Sequence, residues 1–196
     1  MACILLDYPG IKGDAKVQHY KNLIVCETFD MRSGKRDIGG FEYDDDTDDV
    51  DPGGDYATAT LSRPSSKASK QDKRNLGVDN LQLTRRLDIA SPKLMQVAFS
   101  EPVKDVTATL HFFRTASGDA KASAVSGEDN FYQPYMTLVL KNTQITQYDL
   151  TIDGDTGASS ETIALAFDEL SMTFIHYVDS KKVGQIRGDI KMASKE

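Results

Sequence analysis

The sequence has no tryptophan, only two cysteines and only three histidines among its 196 residues. It also has no excess of basic residues, because its formal net charge is −7. That charge argues against nucleic acid as the main partner, since phosphate binding needs a basic surface. No apolar run approaches the ~18 residues of a membrane-spanning helix, so we expect no insertion into a membrane.

The residue types that carry most catalytic and metal chemistry are scattered along the chain. His19, His111 and His176 lie in different segments, whereas a metal site needs three or four converging ligands. The sequence contains no phosphate-binding glycine loop, no nucleophile elbow and no pairing of serine or cysteine with histidine. We therefore expect no catalytic residues, no cofactor and no enzyme activity, with the reservation that paired carboxylates are invisible without the fold.

Both cysteines lie in apolar runs, Cys3–Leu6 and Leu23–Cys26. A free thiol in such a run behaves as a small hydrophobic group, so we expect two reduced, buried thiols in a protein of the cytosol. If the two runs form a hairpin around residues 9–20, a disulfide between Cys3 and Cys26 is the alternative.

The first seven residues lack the basic and long apolar regions of a secretory signal, so no conventional signal is expected.

The pattern that is present is mainly that of β-strands in one domain over residues 1–196. An apolar run predicts a buried strand at residues 2–7, and alternating residues predict strands at 22–31, 106–112, 136–140 and 161–177. A final strand is predicted at 183–192. One short helix is predicted at Ser91–Ser100, with Ser91 as its N-cap and Pro92 at the first helical position. Its apolar face, broad enough to plug the open end of a barrel, is formed by Leu94, Met95, Val97, Ala98 and Phe99.

The predicted strand at 22–31 places four apolar residues on one face, namely Leu23, Val25, Phe29 and Met31. In the predicted strand at 161–177, by contrast, the apolar residues change from odd to even positions at Asp168–Glu169. A slip of one residue turns the following side chains to the other face, so a β-bulge or bend is expected there. Such a bend lets a sheet curl into a barrel or turn the corner of a sandwich.

The strand at 136–140 carries apolar residues on both faces, because Val139 makes its outward face partly apolar as well. A strand of this kind is covered on both sides, either inside the fold or by a neighbouring subunit. Val139 is therefore the candidate interface residue.

Residues 33–75 form a connection that has no regular period and that divides by charge. Nine acidic residues lie between Asp37 and Asp55, and basic residues follow them. A connection of ~40 residues is far longer than usual, so it is either functional or disordered. The charged candidates are Asp44, Asp45, Asp46, Asp48, Asp49, Arg63, Lys67, Lys70, Lys73 and Arg74. Three of them, Asp44, Asp46 and Asp48, are weak candidates for binding calcium, since the EF-hand spacing is absent.

Four stretches resemble the Hcp family, the tube proteins of the bacterial type VI secretion system. They are Leu6–Asp14, Leu23–Phe29, the strand-into-helix stretch Leu83–Met95, and Ser160–Phe167 leading to Tyr177. Their order and spacing agree with the family over most of the chain except residues 33–75. The sequence departs from the family in the length and charge of that connection, and in lacking the tryptophans common after the second strand.

The resemblance implies a closed or partly closed antiparallel β-barrel, with one short plugging helix, that assembles into a homo-hexameric ring. Such rings stack into a tube that carries a spike protein at its tip, holds effectors in its lumen and is expelled by a contractile sheath. The connection at 33–75 matches the family's extended loop, which helps to join rings. The protein is then cytoplasmic before firing and afterwards released or delivered to target cells without a signal peptide.

A second hypothesis of a different class follows from the same residues. The chain is then a monomeric β-sandwich module that binds a ligand such as carbohydrate, and its acidic connection binds calcium. A mass measurement distinguishes the two hypotheses, because only the first predicts a ring of about six copies.

Overall fold

The computed structural model describes residues 2–34, 77–116, 118, 121, 124–127, 130–179 and 181–192. Within these ranges the chain is mainly β, as the alternating pattern predicts, with a single short helix, α1, at Ser91–Ala98. The strands are β1 (Ala2–Asp7), β2 (Ile24–Cys26), β3 (Thr28–Gly34), β4 (Gly77–Arg85), β5 (Thr107–Thr115), β6 (Val125–Gly127), β7 (Asn130–Lys141), β8 (Gln144–Ile152), β9 (Ser159–Ala166), β10 (Glu169–Val178) and β11 (Lys181–Lys191).

The described strands form two antiparallel sheets. The larger sheet has seven strands in the order β11-β10-β7-β5-β1-β2, with β6 paired to β7, and the smaller has the order β3-β4-β9-β8. Among the described residues no strand pairing joins the edges of the two sheets, so of the predicted closed or partly closed barrel the closed form is not found. The architecture is two packed sheets, and the chain passes between them four times; two of these passages fall inside predicted strands, at Glu27 and at Phe167–Asp168.

The first change of sheet occurs at Glu27, inside the predicted strand at 22–31. β2 pairs with β1 in the larger sheet, whereas β3 pairs with β4 in the smaller one. Before the break Ile24 and Cys26 are buried and Val25 is partly exposed; after it Phe29 packs against the core. The predicted single apolar face is therefore wrong for Leu23 and Val25, because the break shifts the alternation by one residue.

The last change of sheet, from β9 to β10, lies at Phe167–Asp168, where the sequence predicts a bulge or bend. β9 pairs with β4 and β8, whereas β10 pairs with β7 and β11. The bend is confirmed, and it turns the corner from one sheet to the other. Two backbone hydrogen bonds hold it, from Asp168 N to the Lys141 carbonyl (2.9 Å) and from Met192 N to the Asp168 carbonyl (2.7 Å).

The helix and its N-cap lie one residue earlier than predicted. The N-cap position is Ala90, and Ser91 is the first helical residue, so Pro92 occupies the second position, where its missing N–H is still harmless. The predicted N-cap role of Ser91 is wrong because its hydroxyl instead accepts a hydrogen bond from Asp88 N (3.0 Å). Asp88 Oδ1 in turn accepts one from Ala90 N (2.7 Å), which fixes the entry to the helix.

The main core lies between the two sheets. Leu110 of β5 and Leu138 of β7 are directly opposed on the inner face of the larger sheet, and both are fully buried. Leu83 and Ile163 of the smaller sheet are likewise opposed and belong to the same cluster. Of the five apolar residues predicted to face the core, only Leu94 is fully buried, so the part of α1 that packs on the core is narrower than predicted.

A second, smaller cluster covers part of the outer face of the larger sheet. The segment at 12–23 folds over β1 and buries Leu5 and Phe113 beneath Val17. Gly13 allows the close approach, because a Cβ there would lie only 2.3 Å from the Leu23 carbonyl oxygen.

The two cysteines are free, as expected. Ile4, not Cys3, is the residue opposite Cys26 across β1 and β2, so the two thiols lie on opposite faces of the sheet and cannot form the alternative disulfide. Burial raises the pKa of the Cys26 thiol to about 12, and it also raises the pKa of Cys3, which is only half-buried. Both groups are therefore neutral thiols at physiological pH.

Candidate interaction surfaces

The larger sheet extends beyond the layer that covers it. On its inner face Leu138, Leu140 and Leu170 are buried, but side chains further along β10 and on β11 are not. Ile186 is 71% exposed, and Phe174 and Ile190 are each 44% exposed. We call the exposed part the hairpin surface; its residues are Phe174, Val178, Ile186 and Ile190.

Strand register explains why these residues share one face. Phe174 lies opposite Ile186, and Leu170 lies opposite Ile190, so the buried and exposed apolar residues continue one row. The Phe174 ring also makes an edge contact with Tyr135 at 6.5 Å between centroids, and Tyr135 contacts Phe112 of the core at 6.4 Å. The hairpin surface is thus a continuation of the core that lacks a covering layer.

A second uncovered apolar area lies where α1 meets β8. Phe99, which follows the helix, is 79% exposed and makes an edge contact with Tyr148 at 6.5 Å. Leu150 and Ile152 follow Tyr148 on the same face of β8 and are exposed as well. We call this area the helix surface; its residues are Met95, Phe99, Leu150 and Ile152. The expected apolar face of α1 is thus divided between the core and solvent.

The two strands that carry these surfaces have opposite charge. β11 contains four basic residues and one acidic residue, whereas residues 144–158, which comprise β8 and its following turn, contain three acidic residues and no basic one. The acidic residues are Asp149, Asp153 and Asp155. Asp153 Oδ1 accepts hydrogen bonds from Asp155 N and Thr156 N (each 2.9 Å), which lowers its pKa and keeps it ionised.

A buried ion pair lies beneath the helix surface. Arg85 of β4 and Glu161 of β9 are cross-strand partners, both fully buried, with Nη1 and Oε2 3.2 Å apart. The Tyr148 hydroxyl donates to Glu161 Oε1, and Arg85 Nη2 contacts Asp88 Oδ1. Burial, followed by the hydrogen bond to Glu161, raises the pKa of Tyr148 to about 12. The network connects β8, β9, β4 and the entry of α1, so it fixes the position of the helix surface.

A cleft of about 320 Å³ opens on the outer face of β1 and β2, away from the core between the sheets. It is bounded in part by Asp14 and Asp88 and by the exposed ion pair between Arg86 Nε and Glu27 Oε1 (2.7 Å). Burial raises the pKa of Asp14, and its hydrogen bond to Asp88 raises it further. In the part of the chain that the structure describes, no three His, Cys, Asp or Glu side chains converge as a metal site.

The structure places Val139 but not the charged candidates. Val139 is half-buried on the outer face of the larger sheet, opposite Thr109 on β5 and Ser171 on β10. Its role at an interface stays a prediction. The predicted loop and calcium candidates, from Asp44 to Arg74, lie outside the described residues.

The hairpin surface does not follow from the sequence. The sequence shows its apolar residues, because Ile186 and Ile190 lie among polar residues and glycine in the predicted last strand. The alternation identifies an apolar face, but it does not say whether another layer covers that face.

No described helix has the length and apolar character needed to cross a membrane.

Comparison with known proteins identifies the family. A family model described as "Type VI secretion system effector, Hcp" matches residues 56–174, which are 119 of the 196 residues. No curated protein sequence matches the chain.

Solved structures share the fold at low sequence identity. Hcp1 from Salmonella typhimurium is 18% identical with a TM-score of 0.60, and the match covers 97% of this chain and 95% of that one. Hcp2 from the same organism is 17% identical, with a TM-score of 0.57 and 99% of both chains covered. A type VI secretion system effector from Yersinia pestis is 14% identical, with a TM-score of 0.58 and coverage of 96% and 99%.

Proposed function

The chain belongs to the Hcp family of type VI secretion proteins, and on this basis we propose that it is a structural tube subunit rather than an enzyme. The observation that carries the proposal is the hairpin surface. A sheet face that is buried at Leu138 and Leu140 continues to the exposed residues Phe174 and Ile186 without a covering layer. Uncovered apolar faces of this kind are typical of surfaces that bind another protein.

In the proposed assembly six copies close into a ring, and rings stack into a tube. The tube carries a spike protein at its tip, is expelled by the contractile sheath and holds effectors in its lumen. The subunit is cytoplasmic before firing and secreted afterwards. Neither nucleic acid nor a membrane is a partner in this assembly, which agrees with the net charge of −7.

Ring stacking is assigned to the charged connection between β3 and β4. These strands pair as far as Gly34 and Gly77, so the connection leaves the smaller sheet at one end. We expect its acidic and basic blocks to contact the neighbouring ring. Exposed ion pairs are each worth only ~0–1 kcal/mol and weaken with salt, but six copies act together.

Neutralising the acidic block tests this assignment. The variant replaces Asp44, Asp45, Asp46, Asp48 and Asp49 with Asn. It should keep the ring, because the described strands lie elsewhere, while its stacking, the salt dependence of stacking and its secretion should change. Electron microscopy at several salt concentrations and a secretion assay measure these effects. A variant that stacks and is secreted like the wild type at every salt concentration would show that the connection is passive.

The ring itself is tested by the mass of the purified chain. Six copies of 21.6 kDa give about 130 kDa by light scattering or native mass spectrometry. A stable monomer at micromolar concentration contradicts the tube subunit and favours the monomeric binding module.

A further inference from the structure

We propose that the hairpin surface of one copy packs against the helix surface of the next copy. This inference rests on the proposed ring and identifies the two surfaces that form it. The contact brings Phe174 and Ile186 of one copy against Phe99 and Ile152 of its neighbour. Both surfaces then become buried once in every subunit of a closed ring.

The apolar residues of each surface are those expected of a contact between copies. Ile186 and Phe99 are 71% and 79% exposed, so most of each side chain is accessible to a neighbouring copy. The two surfaces lie on different elements, β10–β11 in the larger sheet and α1–β8 beside the smaller one. Contact between two different surfaces is head-to-tail, which is the arrangement that generates rings, whereas contact of one surface with itself stops at a dimer.

Charge favours the same pairing. β11 has a net charge of +3, from four basic residues and Asp189, and residues 144–158 have a net charge of −3. Arg187 and Lys191 are paired with Asp189 and Glu169 of the same copy, so Lys181 and Lys182 are the basic residues of β11 that would meet the acidic residues of β8 and its following turn. Opposite charges near the two surfaces favour contact between two copies of the chain.

Strand position adds a geometric reason. β11 and β8 are each at the edge of their sheet, with 11 and 9 residues respectively, and edge strands are where sheets contact other chains. The other edge of the larger sheet, β2, has only three residues. Among the described edges of the larger sheet, β11 therefore offers the longer contact.

Two variants, each with one surface blocked, test the proposal. Ile186→Asp blocks the hairpin surface and Phe99→Asp blocks the helix surface, while high exposure of both residues leaves the fold intact. Each variant alone should be monomeric, with at least a tenfold rise in the concentration needed for assembly. An equimolar mixture should form a dimer of one copy of each, because one functional contact remains and the ring cannot close.

Further measurements distinguish a wrongly assigned contact from a ring that does not form. Val25→Asp, on the edge strand β2 far from β11, should assemble like the wild type. If the wild type forms rings but both variants do so too, the surfaces are wrongly assigned and the ring stands. If Phe99→Asp alone forms a stable dimer, the hairpin surface binds itself and the head-to-tail contact is wrong. If the wild type is monomeric, the proposed ring is wrong, and the contact that depends on it is wrong as well.

Charge reversal tests the same contact without touching apolar residues. Replacing Lys181 and Lys182 with Glu should weaken assembly at least tenfold at low salt, as should replacing Asp149 and Asp155 with Lys. The combined variant should recover most of the loss, because the two charges are exchanged. Additive losses in the combined variant would contradict the pairing of β11 with β8. Should Phe99→Asp fail to fold, Ile152→Asp on the same helix surface replaces it.

Discussion

The inner face of the larger sheet has a covered part and an uncovered part, and the two have similar residues. Leu138 and Leu140 on β7 are fully buried, whereas Ile186 and Ile190 on β11 are largely exposed, although all four point to the same face. Apolar side chains on one face of a sheet are therefore not evidence of burial in the monomer. What differs is only the layer above them, since the described smaller sheet does not cover β11.

The difference assigns separate roles to the two parts. Burial of an aliphatic side chain contributes about 1.5–3 kcal/mol, so the covered part stabilises the fold. The uncovered part contributes little of this in the single chain, but it can contribute when a neighbour covers it. Substitutions in the two parts should thus change different measured quantities.

The largest expected effect is in the covered part. Leu138→Ala removes a fully buried side chain and should lower the free energy of unfolding by about 2–5 kcal/mol, because a cavity remains. The matched change Ile186→Ala should cost about 0.5 kcal/mol or less under conditions where the chain is monomeric. Denaturant unfolding measures both. Equal losses for the two variants would show that β11 is covered within the single chain.

A smaller effect is expected on the outer face, at Val139. A charge there, as in Val139→Asp, should shift the assembly towards smaller species if this face also contacts a neighbour. The shift should be weaker than that of Ile186→Asp, because Val139 lies between Thr109 and Ser171 rather than among apolar residues. Light scattering of the two variants at equal concentration measures the difference. An intact, stable ring for Val139→Asp would exclude this residue from the interface.

The smallest effect concerns the cleft, whose lining residues belong to neither surface. Burial and the neighbouring Asp88 raise the pKa of Asp14 above its value in the unfolded chain, so ionisation of Asp14 opposes folding. The contribution of Asp14 to folding stability is therefore most favourable at a pH below its pKa in the unfolded chain. It is lost as the pH rises through the raised pKa of the folded chain. Asp14→Asn should therefore slightly raise the melting temperature at neutral pH, and the gain should vanish at acidic pH. A gain that is the same at every pH would contradict this cause.

Much of the fold follows from local patterns. Apolar patterns predict strands at the positions of β1, β5, β7, β9, β10 and β11 and of β2 with β3, but not β4, β6 and β8. Pro92 indicates the helix start within one residue. The odd-to-even change at Asp168 predicts the bend. The break at Glu27 was not predicted, because the apolar residues on each side of it allow one continuous strand to be drawn. Ser91 was predicted to cap the helix because its residue type suits that position, but its hydroxyl is bonded to Asp88 N instead.

The tertiary relations were less accessible to sequence analysis. Periodicity gives the face of a strand but not the sheet to which it belongs, so it does not distinguish a barrel from two packed sheets. For the same reason Ile186 and Phe99 could not be recognised as uncovered. Arg85 and Glu161 were also missed, because a buried ion pair becomes visible only when β4 and β9 are in register.

The most direct test of a ring formed through the uncovered sheet face is a cryo-electron microscopy structure of the assembled chain. We predict a closed ring of six copies in which Ile186 of each copy is buried against Phe99 and Ile152 of the next. A ring in which β11 faces solvent would contradict the assigned contact, and particles of a single copy would contradict the tube subunit itself.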